Sequence, residues 1–172
     1  MSEMEPQNLS SGGSGRRAVR IANCSGFFGD RLSAAKEMVD ATLDEHGDID
    51  VLTGDWLAEL TMLILHKQRS RNAELGYAST FLMQMEQVLA ACKARGIKVV
   101  TNAGGLNPAG CAQKVRDIAA KLGIDVVVAH IEGDDLMPRI DGLRPQLHHL
   151  DTGAPLTGEP LTANAYLGAG EI

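Results

Sequence analysis

The chain has 172 residues, 44 % hydrophobic and 22 % charged, the balance of one globular domain rather than a disordered segment or a multi-domain machine. Its 16 basic and 22 acidic residues leave a net charge of −6, a field that repels nucleic acid and anionic membranes. No apolar stretch approaches the ~20 residues of a membrane-spanning helix, so the expectation is a cytoplasmic protein with neither nucleic acid nor membrane as partner.

The first residues, Met1 to Gly15, show no apolar period and end in a Ser/Gly run. Residues 1–16 are read as a disordered tail and 17–172 as the α/β domain. Val19 to Cys24 is predicted as a strand. A helix follows from Ser33 to Glu45, with Leu32, Ala35, Val39 and Leu43 on one stripe. Ile49 to Thr53 is the second strand. Asp55 is placed to cap an apolar helix through Leu65, whose basic end (Lys67, Arg69, Arg71) suits a helix C-terminus. That end is read as solvated, with phosphate binding as the other reading.

Tyr77 to Arg95 reads as a helix stopped by Gly96, Ile97 to Thr101 as the third strand, Pro108 to Leu122 as a helix and Ile124 to His130 as a fourth strand. Strands alternating with helices imply βαβ units. The expected fold is therefore α/β, a mainly parallel sheet flanked by helices on both faces. Val51-Leu52 and Val126-Val127-Val128 fit strands buried on both sides. After Ile140 the pattern fades into a Gly-, Pro- and His-rich loop. Ala163 to Gly170 then resembles the start of another helix, which suggests an incomplete domain.

In a parallel sheet, ligands bind beyond the carboxyl ends of the strands. Each predicted strand opens there into glycine paired with Asn, Asp or Glu: Asn23 to Asp30, Thr53 to Asp55, Thr101 to Pro108, and Glu132 to Asp135. In the third segment Gly104 and Gly105 allow close backbone approach, Asn107 can cap and Pro108 fits the first helical position. Such a helix start suits an anion, or is simply a capped turn. It matches neither the dinucleotide fingerprint nor the P-loop, so no nucleotide cofactor is indicated.

Asp55 and Glu59 share a helix face, and Asp30, Glu132, Asp134 and Asp135 should gather at the same edge. Such carboxylates could do acid–base work or hold Mg²⁺, though no metal ligand is assigned. Asn23 and Asn102 could hold a ligand or tie loops together. Phe27-Phe28 could line an apolar channel or pack beneath its loop. His130 could be a base or a packed strand end. The adjacent pair His148-His149 points apart on an extended chain. Cys24, Cys92 and Cys111, odd in number and without a close pair, read as buried reduced thiols.

These same loops resemble the acyclic terpene utilisation (AtuA-like) family. The similarity runs through Ile21 to Asp30 (IANCSGFFGD), Leu52 to Met62 (LTGDWLAELTM), Leu75 to Tyr77, Val99 to Gly110 (VVTNAGGLNPAG), Val128 to Leu136 (VAHIEGDDL) and Leu161 to Gly168 (LTANAYLG). The resemblance implies a role in the breakdown of citronellol- and geraniol-type terpenes through acyl-CoA intermediates. It also implies the N-terminal portion of a longer fold, completed by a C-terminal half or a partner chain; a homo-oligomer is the other partner expectation. Carried over by position, it marks Asn23, Gly26, Gly29, Asp30, Gly54, Asn102, Gly104, Gly105, Asn107, Gly133, Asp134, Asn164 and Tyr166 as ligand-binding candidates. Phe28 joins them as lining for the apolar chain. Asp55, Glu59 and Glu132 become acid–base candidates for hydration or C–C cleavage of an acyl-CoA-type substrate. The competing expectation is a non-catalytic binding or assembly domain.

Overall fold

Three short runs of apolar and β-branched residues build the sheet: β1 (Ile21–Asn23), β2 (Val51–Gly54) and β3 (Lys98–Thr101). They are parallel and lie in chain order, with Ala22, Leu52 and Val99 in register across the three. The computed structural model describes residues 17–41, 48–168 and 170. The tail expected over 1–16 and the last residues of the first expected helix lie outside the described residues.

Successive strands that add in one direction through right-handed crossovers place their connections on one side of the sheet. In accord with this, α1 (Ala34–Ala41), α3 (Ser79–Arg95) and α4 (Pro108–Lys121) pack side by side, with α3 central. Phe81, Met85, Val88 and Cys92 form the buried stripe of α3, and Ala35 and Val39 that of α1. Together with Leu52, 1 % exposed, they form the core, against which Val99 packs. Burial of side chains of this size contributes about 1.5–3 kcal/mol each. The opposite row of the sheet differs. Ile21 is 64 % exposed, and Val51 and Val100 are half-buried outside that cluster.

The α/β class and parallel sheet are as expected. Gly96 ends α3 in the left-handed region at φ +70, where glycine has no Cβ penalty. Asn107 caps α4, its Oδ1 accepting from Gly110 N at 2.9 Å, with Pro108 at the first turn. The expected cover on both faces is not seen for α1, α3 and α4, which pack together on one side, and three further details differ from expectation. Helix α2 (Glu59–Arg71) begins four residues after Asp55, and Ala58, not Asp55, stands at its cap position. Asp55 is instead drawn to Leu57 N and to Asn102.

The fourth strand is absent: residues 124–130 lie in no described ladder. Val126 and Val128 are half-buried against the core, but Val127 is fully exposed. The Val128 carbonyl accepts from Arg116 Nη2 at 2.6 Å rather than from a neighbouring strand. An apolar run secures burial of alternate side chains without dictating backbone pairing.

The third difference is at the C-terminal end, where no helix starts among the described residues. Beyond two 3₁₀ turns and the single-turn α5 (Ile140–Leu143), Asn164 forms an antiparallel bridge with Asp135. Leu136 N donates to Ala163 O and Ala165 N to Asp134 O, both at 2.8 Å. No described helix is long and apolar enough to cross a membrane.

Candidate functional site

The loops after the three strands are tied to one another by their own polar groups. Asp55 N donates to Ser25 O, and Asn102 Oδ1 accepts from Trp56 N, both at 2.8 Å. Asn102 Nδ2 donates to Asp55 Oδ1 at 2.6 Å. In the first loop Asp30 Oδ2 accepts from Gly26 N at 2.8 Å and from Ser25 Oγ at 3.2 Å. The fully buried Gln84 braces that loop from α3, donating to Arg31 O and accepting from the Cys24 thiol. Asn102 and Asp30 are thus ties between or within loops.

Close packing explains four glycines here. A Cβ on Gly54 would lie 2.7 Å from Trp56 Nε1, and one on Gly105 would overlap Leu65 Cδ1. Gly104 faces Pro108 in the same way, and Gly29 faces the Phe27 ring. Trp56 is 1 % exposed, stacks edge-on against Phe81, and carries a buried indole N–H with no partner among the described residues.

The concave surface lies farther along the edge, between the β3 loop, α2 and the 132–137 segment. It has two adjoining chambers that share Arg69, Leu106 and Asp135. The first, of about 300 Å³, has apolar walls from Leu106, Met137 and Leu161, with His66, Ser70 and Thr162 between them. The second, of about 270 Å³, is lined by Gly105, Asn107 and Pro108 on one side and by Glu132, Gly133 and Asp134 on the other. Asn164 holds the acidic wall by donating to Asp134 Oδ2 at 2.9 Å. Asp135 Oδ1 accepts from Met137 N at 2.9 Å. Glu132 Oε1 lies 3.4 Å from His130 Nε2.

The expected site residues therefore divide. Gly105, Asn107, Glu132, Gly133 and Asp134 line the cleft, and Asn164 supports it. Asn23, Gly26, Phe28, Gly29, Asp30, Gly54, Asp55, Glu59, Asn102, Gly104 and Tyr166 line neither chamber. Phe28 packs against the core, and its carbonyl accepts from Thr80 Oγ1. Tyr166 is fully exposed.

The carboxylates do not converge on an ion. Among the described residues no three His, Cys, Asp or Glu side chains are placed to hold a metal. Burial pushes the Cys92 and Cys111 thiols up to about 11 and about 12, and raises that of Cys24. All three are held away from the thiolate form that nucleophilic catalysis needs.

Arg69, Leu106, Met137 and Leu161 were not among the site residues marked by sequence. Arg69 had a partial signal, as part of the basic helix end read as solvated or phosphate-binding, whereas Met137 and Leu161 reach the cleft only through the long return of the chain.

Against known proteins, the family model described as "Acyclic terpene utilisation family protein AtuA" matches residues 19–172. No curated protein and no solved structure matches the chain.

Proposed function

The chain belongs to the acyclic terpene utilisation (AtuA) family, and from that premise we propose that its cleft binds a branched, α,β-unsaturated acyl ligand, such as an enoyl-CoA, and adds water across its double bond. The observation that carries this reading is the pairing of the two chambers. One offers an apolar wall of Leu106, Met137 and Leu161, and the other presents the Glu132 carboxylate beside His130.

Adding water to an activated double bond needs a base to take a proton from water and an acid to return one to carbon. A carboxylate and an imidazole in contact are suited to that exchange. Cleavage of a C–C bond is the other reaction the same pair could serve. Of the three acid–base candidates Glu132 alone lines the cleft, so it is the residue assigned the role.

The test is incubation with geranyl-CoA and mass spectrometry of the products. A gain of one water that disappears in Glu132→Gln, with the melting temperature kept, supports hydration. Turnover indifferent to Glu132→Gln overturns the assignment.

A second reading, a binding or assembly domain, is favoured by the open row of the sheet, where Val19 and Ile21 are 65 % and 64 % exposed. It predicts a homodimer or a stable complex with a partner chain in gel filtration with light scattering, and Ile21→Lys should disperse it. A monodisperse monomer that turns over geranyl-CoA excludes it.

A further inference from the structure

Arg69 lies outside the family motifs, yet it borders both chambers. Its guanidinium is held in place. Nη1 donates to Leu106 O at 2.7 Å, and its stem runs beside Gly76, where an added Cβ would come within 3.2 Å of Arg69 Cδ. Gly76 has φ +115, a backbone conformation that itself favours glycine. A guanidinium carries five N–H donors in a planar fork. Among the described residues, Leu106 O is the one acceptor found for them.

The surroundings decide which ligand those donors suit. Leu106, Met137 and Leu161 line the first chamber beside Arg69, with His66 one helical turn before it. Glu132 and Asp134 line the second. Asp135 borders both, with one oxygen engaged by Met137 N. An anion on Arg69 therefore faces one carboxylate, Asp135, on the side of the first chamber and three on the side of the second, so the first is the less repulsive. Meanwhile the loop before α4 has few amides to offer. Gly105 N donates to Asn102 O, Leu106 N to Gly76 O, Asn107 N to Gly104 O and Gly110 N to Asn107 Oδ1.

We propose that Arg69 is the oxyanion receptor of the cleft. It binds the carboxylate or phosphate end of an amphipathic ligand whose aliphatic part rests on Leu106, Met137 and Leu161. The inference depends on the cleft being the small-molecule site described above, and it locates the anion contact on α2 rather than on the amides of the β3 loop.

The experiment is calorimetric titration of the full chain with geranate, geraniol and CoA, using wild type, Arg69→Met, Arg69→Lys and the off-site control Arg71→Met. Hydrogen bonds to a charged group are lost, so Arg69→Met should weaken geranate or CoA about 10- to 100-fold. Arg69→Lys, which keeps the charge but loses the fork, should fall in between. Geraniol binding and the Arg71→Met variant should be unchanged. Loss confined to geranate identifies a carboxylate as the anion, and loss confined to CoA identifies a phosphate. If Arg69→Met fails to give a cooperative melt, the Arg69→Lys titration decides. Anion binding indifferent to both Arg69 variants, or equally lost in Arg71→Met, overturns the proposal while leaving the cleft intact. Wild type that binds none of the three probes overturns the small-molecule reading, and the receptor falls with it.

Discussion

Asn102, one residue beyond β3, accepts a hydrogen bond from the backbone N–H of Trp56 at 2.8 Å while its amide donates to the carboxylate of Asp55 at 2.6 Å. One side chain thereby joins the β3 loop to the segment between β2 and α2. The family motifs around Asn102 and Asp55 coincide with this tie, so part of what they encode is the geometry of the edge on which the cleft is built.

Removing that tie should be costly. Asn102→Ala leaves Trp56 N and Asp55 without their partner, and a loss of about 1–3 kcal/mol is expected. Asn102→Asp keeps an acceptor for Trp56 N but sets a carboxylate against Asp55, so it should be destabilised too, and most at neutral pH. Chemical denaturation of the two variants at neutral and acid pH provides the check. Equal stability of wild type and Asn102→Ala would contradict the role.

Gly54 and Gly105 are closed to side chains for different reasons. At Gly54 the obstacle is the buried Trp56 ring. At Gly105 it is Leu65 and the Gly76 carbonyl, together with φ +52. Overpacking of this kind typically costs about 1–3 kcal/mol, so Gly54→Ala and Gly105→Ala should both lower the melting temperature. Trp56 is the chain's one tryptophan. Its emission should be that of a buried indole in wild type and should shift in Gly54→Ala more than in Gly105→Ala.

Acid sensitivity has a definite source near β1. Hydrogen bonds from the Arg17 side chain and from Arg20 N hold Asp50 at about 2, below its ordinary 3.8. A carboxyl with a lowered folded-state pKa adds stability above 3.8, and this is lost as the pH falls toward about 2. Over that interval the wild type should lose more stability than Asp50→Asn. Parallel acid melts of the two would contradict the coupling.

The thiols govern the alkaline side. Cys92 and Cys111 are held at about 11 and about 12 by burial, against 9.0 for a free thiol. Raised pKa values mean that the folded state retains protons the unfolded chain has released. Stability should therefore fall as the pH rises from 9 through these values. At neutral pH a thiol reagent should modify the half-buried Cys24 first. Rapid modification of Cys92 or Cys111 in the folded protein would contradict this order.

The βα alternation is legible in the sequence because Ala35, Val39, Phe81, Met85, Val88 and Cys92 repeat at helical spacing beside short β-branched runs. The Asn107–Pro108 helix start and the Gly96 stop are legible because caps act through local backbone chemistry. The residues 124–130 mislead, since an apolar run shows which side chains seek burial but not whether a neighbouring strand accepts their backbone. Likewise, motif residues such as Asn102 and Asp30 look like ligand contacts in one dimension, whereas in three Asn102 is engaged by Trp56 N and Asp55, and Asp30 by Gly26 N and Ser25. Met137 is hidden for the opposite reason: nothing local distinguishes a lone methionine that a distant loop turns into a cleft wall, and Arg69 shows only as one of three basic residues at a helix end.

The most direct test of the account is a calorimetric titration of geranyl-CoA into wild type and Leu106→Trp, since Leu106 borders both chambers and a larger ring there fills them. Saturable binding by wild type, weakened about tenfold or more in a Leu106→Trp variant that still melts cooperatively, is the predicted result. Equal binding by the two proteins would place the ligand elsewhere and contradict the assignment of the cleft.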